Sequence, residues 1–264
     1  MCSDEGDVYM VNDKLREIER EYGVKVLYAC EAGSRAYGLW NEASDYDVRF
    51  IYVHPLDWYL SIDEKRDVIE MPISDQLDLS GWELRKALHL LKKSNPSVLE
   101  WLHSDVVYDE DEDFMNTLRN ITQTAFKPIP VLHHYHKMAK RNLKELGQEN
   151  EVAVKKYLNV VRPFLMCSMI MKFGQFPGIN VQYIVDQLIH NQHLKEELKY
   201  LLEIKTCRPS QTKIDRLSRV DAYIEEQMEE IELYLQDAQG ERTSITEELD
   251  VFFRNTVKKY EKLE

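Results

Sequence analysis

No apolar run in this 264-residue chain approaches the length of a membrane helix. The first ten residues, MCSDEGDVYM, are acidic and lack a hydrophobic signal core, so a soluble cytoplasmic protein is expected, with no membrane partner. Cysteine is sparse as well. Cys2, Cys30, Cys167 and Cys207 lie far apart with no CxxC pair, which argues against a zinc ribbon or a disulfide framework and for buried or incidental thiols. There is no internal repeat and no low-complexity tract. Positive charge is also in deficit, with 34 Lys and Arg against 47 Asp and Glu, a formal charge of −13. Long-range attraction to bulk duplex DNA or to an anionic membrane is therefore not expected of the chain as a whole. Any binding of nucleic acid or nucleotide has to be local, through a basic patch or bound cations.

The composition, 44% hydrophobic and 31% charged, is that of a globular protein with material for one large domain or two modest ones. A basic window does exist. Between Lys127 and Lys172 nine Lys and Arg stand against three Glu, while acid collects in 105–113 and 225–232.

In chain order, 13–22 has the spacing of a short surface helix ended by Gly23, and 24–30 is β-branched and aromatic enough for a buried strand. Residues 31–44 are turn-rich, with a helical turn available over 35–39, and 47–53 forms a second strand stopped by Pro55. A weak helix is expected at 56–62 and a further strand at 66–71. The alternating segment Ser74–Leu79 places Gln76 and Asp78 on one side and Leu77 and Leu79 on the other, and Ser80-Gly81 then turns the chain into a helix from Trp82 to Lys93. Asn95-Pro96 breaks that helix, Ser94 or Asn95 is the expected cap of the next, and 106–108 has the composition of a short strand. From about residue 113 the pattern is helical throughout, with breaks at 128–130, 147–150, 176–178 and 207–209. The expected fold class is α+β, a mixed sheet with flanking helices followed by an all-α C-terminal domain, divided as 1–125 and 126–264.

The chemistry-bearing stretch is EAGSRAYGLWNEASDYDVRFIYV, residues 31–53. Gly33-Ser34 follows the first strand, and ten residues separate Ser34 from Asp45-Tyr46-Asp47, which opens the second. Nucleotidyl transfer is an in-line attack on the α-phosphorus of a triphosphate, eased by two divalent cations about 3.5–4 Å apart. Magnesium takes carboxylate oxygens, so two or three acids have to share a small volume. Residues i and i+2 of a strand project to one face, which Asp45 and Asp47 satisfy, and Asp78 on a neighbouring strand completes the set. Phosphates need close backbone approach and hydroxyl or N–H donors, which Gly33 and Ser34 supply. Alone, each motif is an ordinary turn or strand end; together they point to a metal–nucleotide site.

Several strings then resemble one family: GSRAYG (33–38), SDYDVRFIYV (44–53), LDLSGWELRKALHLLKKSNPSVLEWL (77–102) and KKYLNVVRPFL (155–165). They are similar to the RlaP-type nucleotidyltransferases of the DNA polymerase β superfamily, associated with RNA ligase in RNA-repair gene neighbourhoods. The resemblance spans most of 24–173; the last ninety residues carry little of it. It implies a polymerase β-type sheet with a helical domain closing the active-site cleft. Gly33 and Ser34 are then expected to hold the triphosphate, Asp45 and Asp47 to bind both metals, and Asp78 to act as the third carboxylate, as metal ligand or base for the acceptor hydroxyl. Mg²⁺ or Mn²⁺ is the expected cofactor and an NTP the substrate.

Other residues carry two readings. Arg35 and Arg49 each suit either a phosphate contact or an ion pair with Asp45, Asp47 or Glu31. Lys156 suits the β/γ-phosphates and Tyr157 a base or ribose, against a solvated helix face with a buried ring. His133-His134-x-His136 has awkward helical spacing for a metal and fits a polar or acceptor-contacting surface better. The acceptor expected from the resemblance and the basic window is an RNA or tRNA end. The charge of −13 keeps two rivals open: transfer to a protein or small-molecule hydroxyl, and a nucleotide-binding module without turnover. Nothing in the sequence sets the base, the acceptor or the oligomeric state.

Overall fold

The computed structural model describes residues 5–71, 76–209, 211–238 and 244–261. Cys2, and Ser74 and Asp75 of the alternating segment, lie outside them. The fold is α+β, with a five-stranded mixed sheet, flanking helices and a helical C-terminal portion.

Contacts divide the chain into two units. The first gathers residues up to Gly33, 45–126 and the C-terminal segment; the second gathers 34–44 and 127–242. This differs from the simple cut expected near residue 125 in two places. The loop after Gly33 counts with the helices, and the last helix counts with the sheet.

In the first unit, α1 (Glu5–Tyr22) leads into β1 (Lys25–Glu31). The single helical turn α2 (Gly33–Ala36) straddles the division, and β2 (Tyr46–Val53), α3 (Leu56–Tyr59), β3 (Val68–Glu70) and β4 (Leu77–Glu83) follow. Then come α4 (Leu84–Lys92), α5 (Pro96–Leu102), β5 (Val107–Glu110) and α6 (Glu112–Ala125). The strand order is β3-β4-β2-β1-β5, with β2 and β4 parallel and the other neighbours antiparallel. Helix α1 is longer than its charged pattern indicated and is no surface ornament. Val11, Leu15 and Ile18 are buried with Val48, Phe50, Tyr52, Leu77 and Leu79 on one face of the sheet. On the other face Ile51 meets Leu84, Leu88, Leu91, Val98 and Phe114 from α4, α5 and α6. Cover on both faces explains why β1 and β2 read as continuous apolar runs rather than alternating ones. Cys30 is buried in β1, and burial pushes its thiol up to about 12.

Strand β4 runs through Ser80-Gly81, where a turn was expected. A Cβ on Gly81 would lie 2.1 Å from the Phe50 ring, so the glycine makes room for a cross-strand aromatic instead of reversing the chain. Glu83 then caps α4 by accepting from the amides of Arg85 and Lys86, and of the two candidate caps for α5 it is the Asn95 side chain that accepts, from the Ser97 amide.

In the second unit, α7 (Pro128–Leu146), β6 (Glu151–Ala153), α8 (Val154–Phe173), α9 (Val181–Leu188), α10 (Gln192–Cys207), β7 (Lys213–Asp215) and α11 (Ser218–Asp237) pack together. The short antiparallel pair β6–β7 has no counterpart in the helical pattern of the sequence. Three-residue strands are too brief to show a period. Pro163 sits inside α8, which is buried on nearly every side.

Helix α12 (Thr246–Lys259) belongs to the first unit and packs on α4 and α6, its Phe252 stacked on Phe114 with centroids 5.2 Å apart. Asp111, the N-cap of α6, accepts from Lys259 Nζ at 2.8 Å and from the Tyr260 hydroxyl. Burial pushes the Asp111 carboxyl up, but these donors and the Phe114 amide outweigh it and hold it at about 2, against an ordinary 3.8. A depressed acid stabilises the fold fully above its unfolded value and loses that contribution as pH falls through the folded one. Circular dichroism should therefore show α12 loosening between pH 3.8 and about 2. Asp111→Asn should flatten that part of the acid titration; an unchanged acid limb would refute the tie.

Candidate active site

The site starts with the end of β1. Glu31 is 1% exposed, a carboxylate closing an otherwise apolar strand. Its Oε1 accepts from the Asp47 amide at 2.8 Å, its Oε2 accepts from the Tyr108 hydroxyl, and its carbonyl accepts from Ser104 Oγ at 2.7 Å. The Ala32 amide donates to the Asp47 carbonyl at 2.8 Å. Both backbone groups of Asp47 are thus clamped from β1. Glu31 is absent from the expected site residues, although a lone acid inside VLYACE was a visible signal.

Gly33 then turns the chain with φ +59°, a conformation that costs residues with a side chain. A Cβ there would stand 1.9 Å from Asp47 Oδ2, so the carboxylate lies directly against the glycine α-carbon. The glycine of the Gly-Ser pair has a reason in the structure: it lets Asp47 and the turn share one space.

Across the sheet, Asp47 pairs with Asp78 in the parallel β2–β4 register. In-register residues of parallel neighbours point to the same face, and strands stand about 4.8 Å apart. Asp47 and Asp78 are both about one-third exposed, 31% and 34%. Arg49, two residues beyond Asp47 on the same face, answers this concentration of negative charge. Its Nη2 lies 3.2 Å from Asp47 Oδ1 and 2.8 Å from Asp78 Oδ2, and its Nη1 donates to the carbonyls of Val48 and Asp78 at 3.0 and 3.2 Å. Of the two readings for Arg49, the structure shows the ion pair. Asp45 precedes β2 and is exposed.

Two carboxylate oxygens converging on one cationic nitrogen are the donor set a hard divalent cation takes, so the residues fit the expected metal in kind. Among the described residues, no group of three or more His, Cys, Asp or Glu is assembled to hold a metal. The two that converge are held by the guanidinium, and Asp45 stands apart from them. The His133, His134 and His136 imidazoles form no such group either; His136 Nε2 lies 3.4 Å from Glu232.

The remaining expected residues belong to the second unit. Ser34 is half-buried, and its carbonyl accepts from the Leu39 amide at 2.8 Å, shaping the turn after α2. Arg35 donates from Nε and Nη2 to the Ser44 carbonyl at 3.3 and 3.1 Å and lies 4.9 Å from the Trp40 ring. It closes the loop on itself. Within the same unit, Tyr37 accepts from the Val181 amide and stacks under Arg162, 4.1 Å from the ring centroid. Lys156 is exposed on the first turn of α8. Tyr157 is fully buried, its hydroxyl donating to Asp221 at 2.7 Å. That is the buried ring of its second reading, and a base has no access to it in this arrangement.

The sequence matches the model of RlaP, the RNA repair pathway DNA polymerase beta family, over residues 9–255. The chain belongs to this family. Membership supports a nucleotidyltransferase of the polymerase β type. A relative, the uncharacterized protein YcgL of Bacillus subtilis (strain 168), is 45% identical over 245 residues, 93% of this chain and 94% of its own. A solved nucleotidyltransferase-like protein from Exiguobacterium sibiricum 255-15 aligns at 12% identity over 96% of this chain and 81% of its own, with a TM-score of 0.33.

The contact between Gly33 and Asp47 gives a direct test. Gly33→Ala should cost about 1–2 kcal/mol in urea unfolding for the left-handed backbone alone, and a crystal structure of the variant should show the Asp47 carboxylate displaced. An unmoved Asp47 with unchanged stability would remove the steric argument.

Proposed function

We propose that the protein transfers a nucleoside monophosphate from an NTP to a hydroxyl acceptor, with pyrophosphate leaving, in a reaction that depends on Mg²⁺ or Mn²⁺, and that the acceptor is an RNA or tRNA end. The observation that carries the reading is the register of Asp47 with Asp78, with Gly33 folded against the first of them. Bound divalent cations would supply charge neutralisation at the α-phosphate and a more acidic acceptor hydroxyl.

The chain's own residues take these roles. Asp47 and Asp78 provide the oxygens that converge on one point, Asp45 adds a third carboxylate two residues upstream, and Asp78 serves as metal ligand or base for the acceptor hydroxyl. Glu31 fixes the Asp47 backbone. Gly33 and Ser34 contact the triphosphate, with Arg35 and Lys156 as further phosphate contacts. Tyr157 serves by anchoring α8, from which Lys156 projects. The RNA acceptor is supported by the RNA-repair description of the family and by the excess of lysine and arginine between 127 and 172. The overall charge of −13 favours the rival acceptors, a protein or small-molecule hydroxyl.

Incubation with each α-labelled NTP and Mg²⁺ or Mn²⁺, against RNA and protein fractions, decides both points. Label should appear on RNA, vanish with EDTA, and fall by roughly 10²–10³ in Asp47→Asn and Asp78→Asn, the scale for losing a group that stabilises transition-state charge. Transfer retained in the Asp47→Asn, Asp78→Asn double variant would sink the catalytic assignment; label on protein alone would replace the acceptor.

A further inference from the structure

Helix α7 buries one side and presents a basic stripe on the other. Tyr135, Ala139 and Leu146 face the interior. Opposite them, at 3.6 residues per turn, His133, Lys137, Lys140, Arg141 and Lys144 fall within about 100° of arc. All five are exposed. From His133 to Lys144 the row runs ~16 Å along the axis, with a basic side chain in every turn. Glu145, at the edge of the arc, is the only acid in the helix.

Neighbouring acids leave most of this charge uncompensated. Lys140 is held by Glu232 of α11 at 2.7 Å, and Arg141 lies 3.9 Å from Glu145 with both side chains well exposed. Exposed pairs of that kind are weak and exchange readily. Among the described residues Lys137 and Lys144 make no ion pair. The row continues onto α8, because Asn142 Nδ2 donates to the Asn159 carbonyl at 2.8 Å, one turn beyond the exposed Lys155. All of it lies within the second unit. In a chain of net charge −13 this is a local reversal of sign rather than a general solubilising surface. The face also excludes partners by what it lacks. Among the described residues of α7, no large apolar side chain and no Phe, Tyr or Trp ring is exposed. A helix that enters a lipid interface needs an apolar face, and a stable protein contact centres on aromatic and apolar anchors. Unpaired bases need rings to stack on.

We propose that the outer face of α7, continued by Lys155, docks the phosphate backbone of a base-paired RNA stem and holds an acceptor RNA by its duplex. A row of cations without apolar or stacking groups is complementary to a hydrated row of phosphates, which is what an RNA duplex presents. Phosphate contacts carry no sequence information, so the docking is blind to base sequence. The inference rests on the reading that the acceptor is RNA, and it gives that RNA a surface. His133, unused as a metal ligand, belongs to the same row.

The test is fluorescence anisotropy of a labelled RNA hairpin titrated with the full chain, without NTP, over a range of salt concentrations. The Lys137→Gln, Arg141→Gln, Lys144→Gln triple variant should bind the hairpin roughly 10²-fold more weakly near ~0.1 M salt and lower the salt slope by about 2–3. A hairpin of unrelated stem sequence should show the same loss, and an unpaired strand of the same composition should bind more weakly than either. The three side chains are exposed, so the triple variant should melt as the parent does. Lys195→Gln, Lys199→Gln, which removes two cations paired with Asp186 on other helices of the unit, should leave hairpin binding unchanged. No binding of the hairpin, an affinity unmoved by the triple variant, or equal affinity for the unpaired strand would overturn the proposal. So would binding to phosphatidylserine–phosphatidylcholine vesicles with none to RNA. The catalytic reading fails separately: hairpin docking without label transfer sinks that assignment alone, and transfer to RNA with docking unmoved by the triple variant sinks this one alone.

Discussion

Two carboxylates on neighbouring parallel strands, at the same level and on the same face, are the constraint around which the first unit is arranged. Asp47 and Asp78 stand in register because β2 and β4 run parallel. Strand spacing alone puts such a pair near enough for like charges to repel strongly. Arg49 answers this from the same strand, its position set by the two-residue period that returns it to the face of Asp47. The other features follow from keeping β2 and β4 adjacent and Asp47 in place. Gly81 lets the Phe50 ring lie across the strand pair, Glu31 holds the Asp47 amide, and Gly33 leaves room for its carboxylate. Tyr108 and Ser104 in turn fix Glu31, so the arrangement reaches as far as β5.

Much of this was legible in the residues. The apolar runs around Gly33-Ser34 and Asp45-x-Asp47 gave β1 and β2, and the alternation of Leu77-Asp78-Leu79 gave a strand that presents its acid away from the core. What the residues left open was pairing. Nothing local to Asp78 says that its neighbour is Asp47 at the same level, because register depends on contacts thirty residues apart. Ser80-Gly81 misled for a related reason: glycine marks a turn in isolation, and only the Phe50 ring across the sheet shows that it marks a close approach. Strands β6 and β7 were hidden because three residues cannot display a period. Helix α12 falls within the stretch whose pattern is helical, yet such a pattern does not say which core a helix joins. Its anchor, Asp111, lies about 150 residues away in sequence, and no local pattern connects the two.

The loop from Ser34 to Ser44 shows a different limit. As a sequence it is a long connection between two strands, and the natural inference is a flap of the sheet domain. Its own contacts are with the helices. Asn41 reaches the carbonyls at the end of α10, Tyr37 accepts from Val181, and Gly38 comes so near Asn180 that a Cβ would stand 2.8 Å from its amide nitrogen. The chain therefore crosses from one unit to the other between Gly33 and Ser34, and back between Ser44 and Asp45. The glycine and the serine of one motif answer to different cores, and Asp45 sits at the second crossing. Tyr157 belongs to the same lesson. A tyrosine beside a lysine on a basic helix has the look of a stacking residue, but its hydroxyl is committed to Asp221 and its ring to the interior.

The Arg49 bridge bears on how the proposed reaction can start. Arg49 occupies the space between Asp47 and Asp78 through hydrogen bonds to both carboxylates, and it vacates that space by exchanging partners. Under the proposed function, a divalent cation held by those oxygens would replace a partly buried charge-assisted pair, and the freed guanidinium would need an anion. An incoming triphosphate carries such an anion. Under the proposed function, Arg49 would then turn from the carboxylates to phosphate. As they stand, Asp47 and Asp78 are charge-balanced by Arg49.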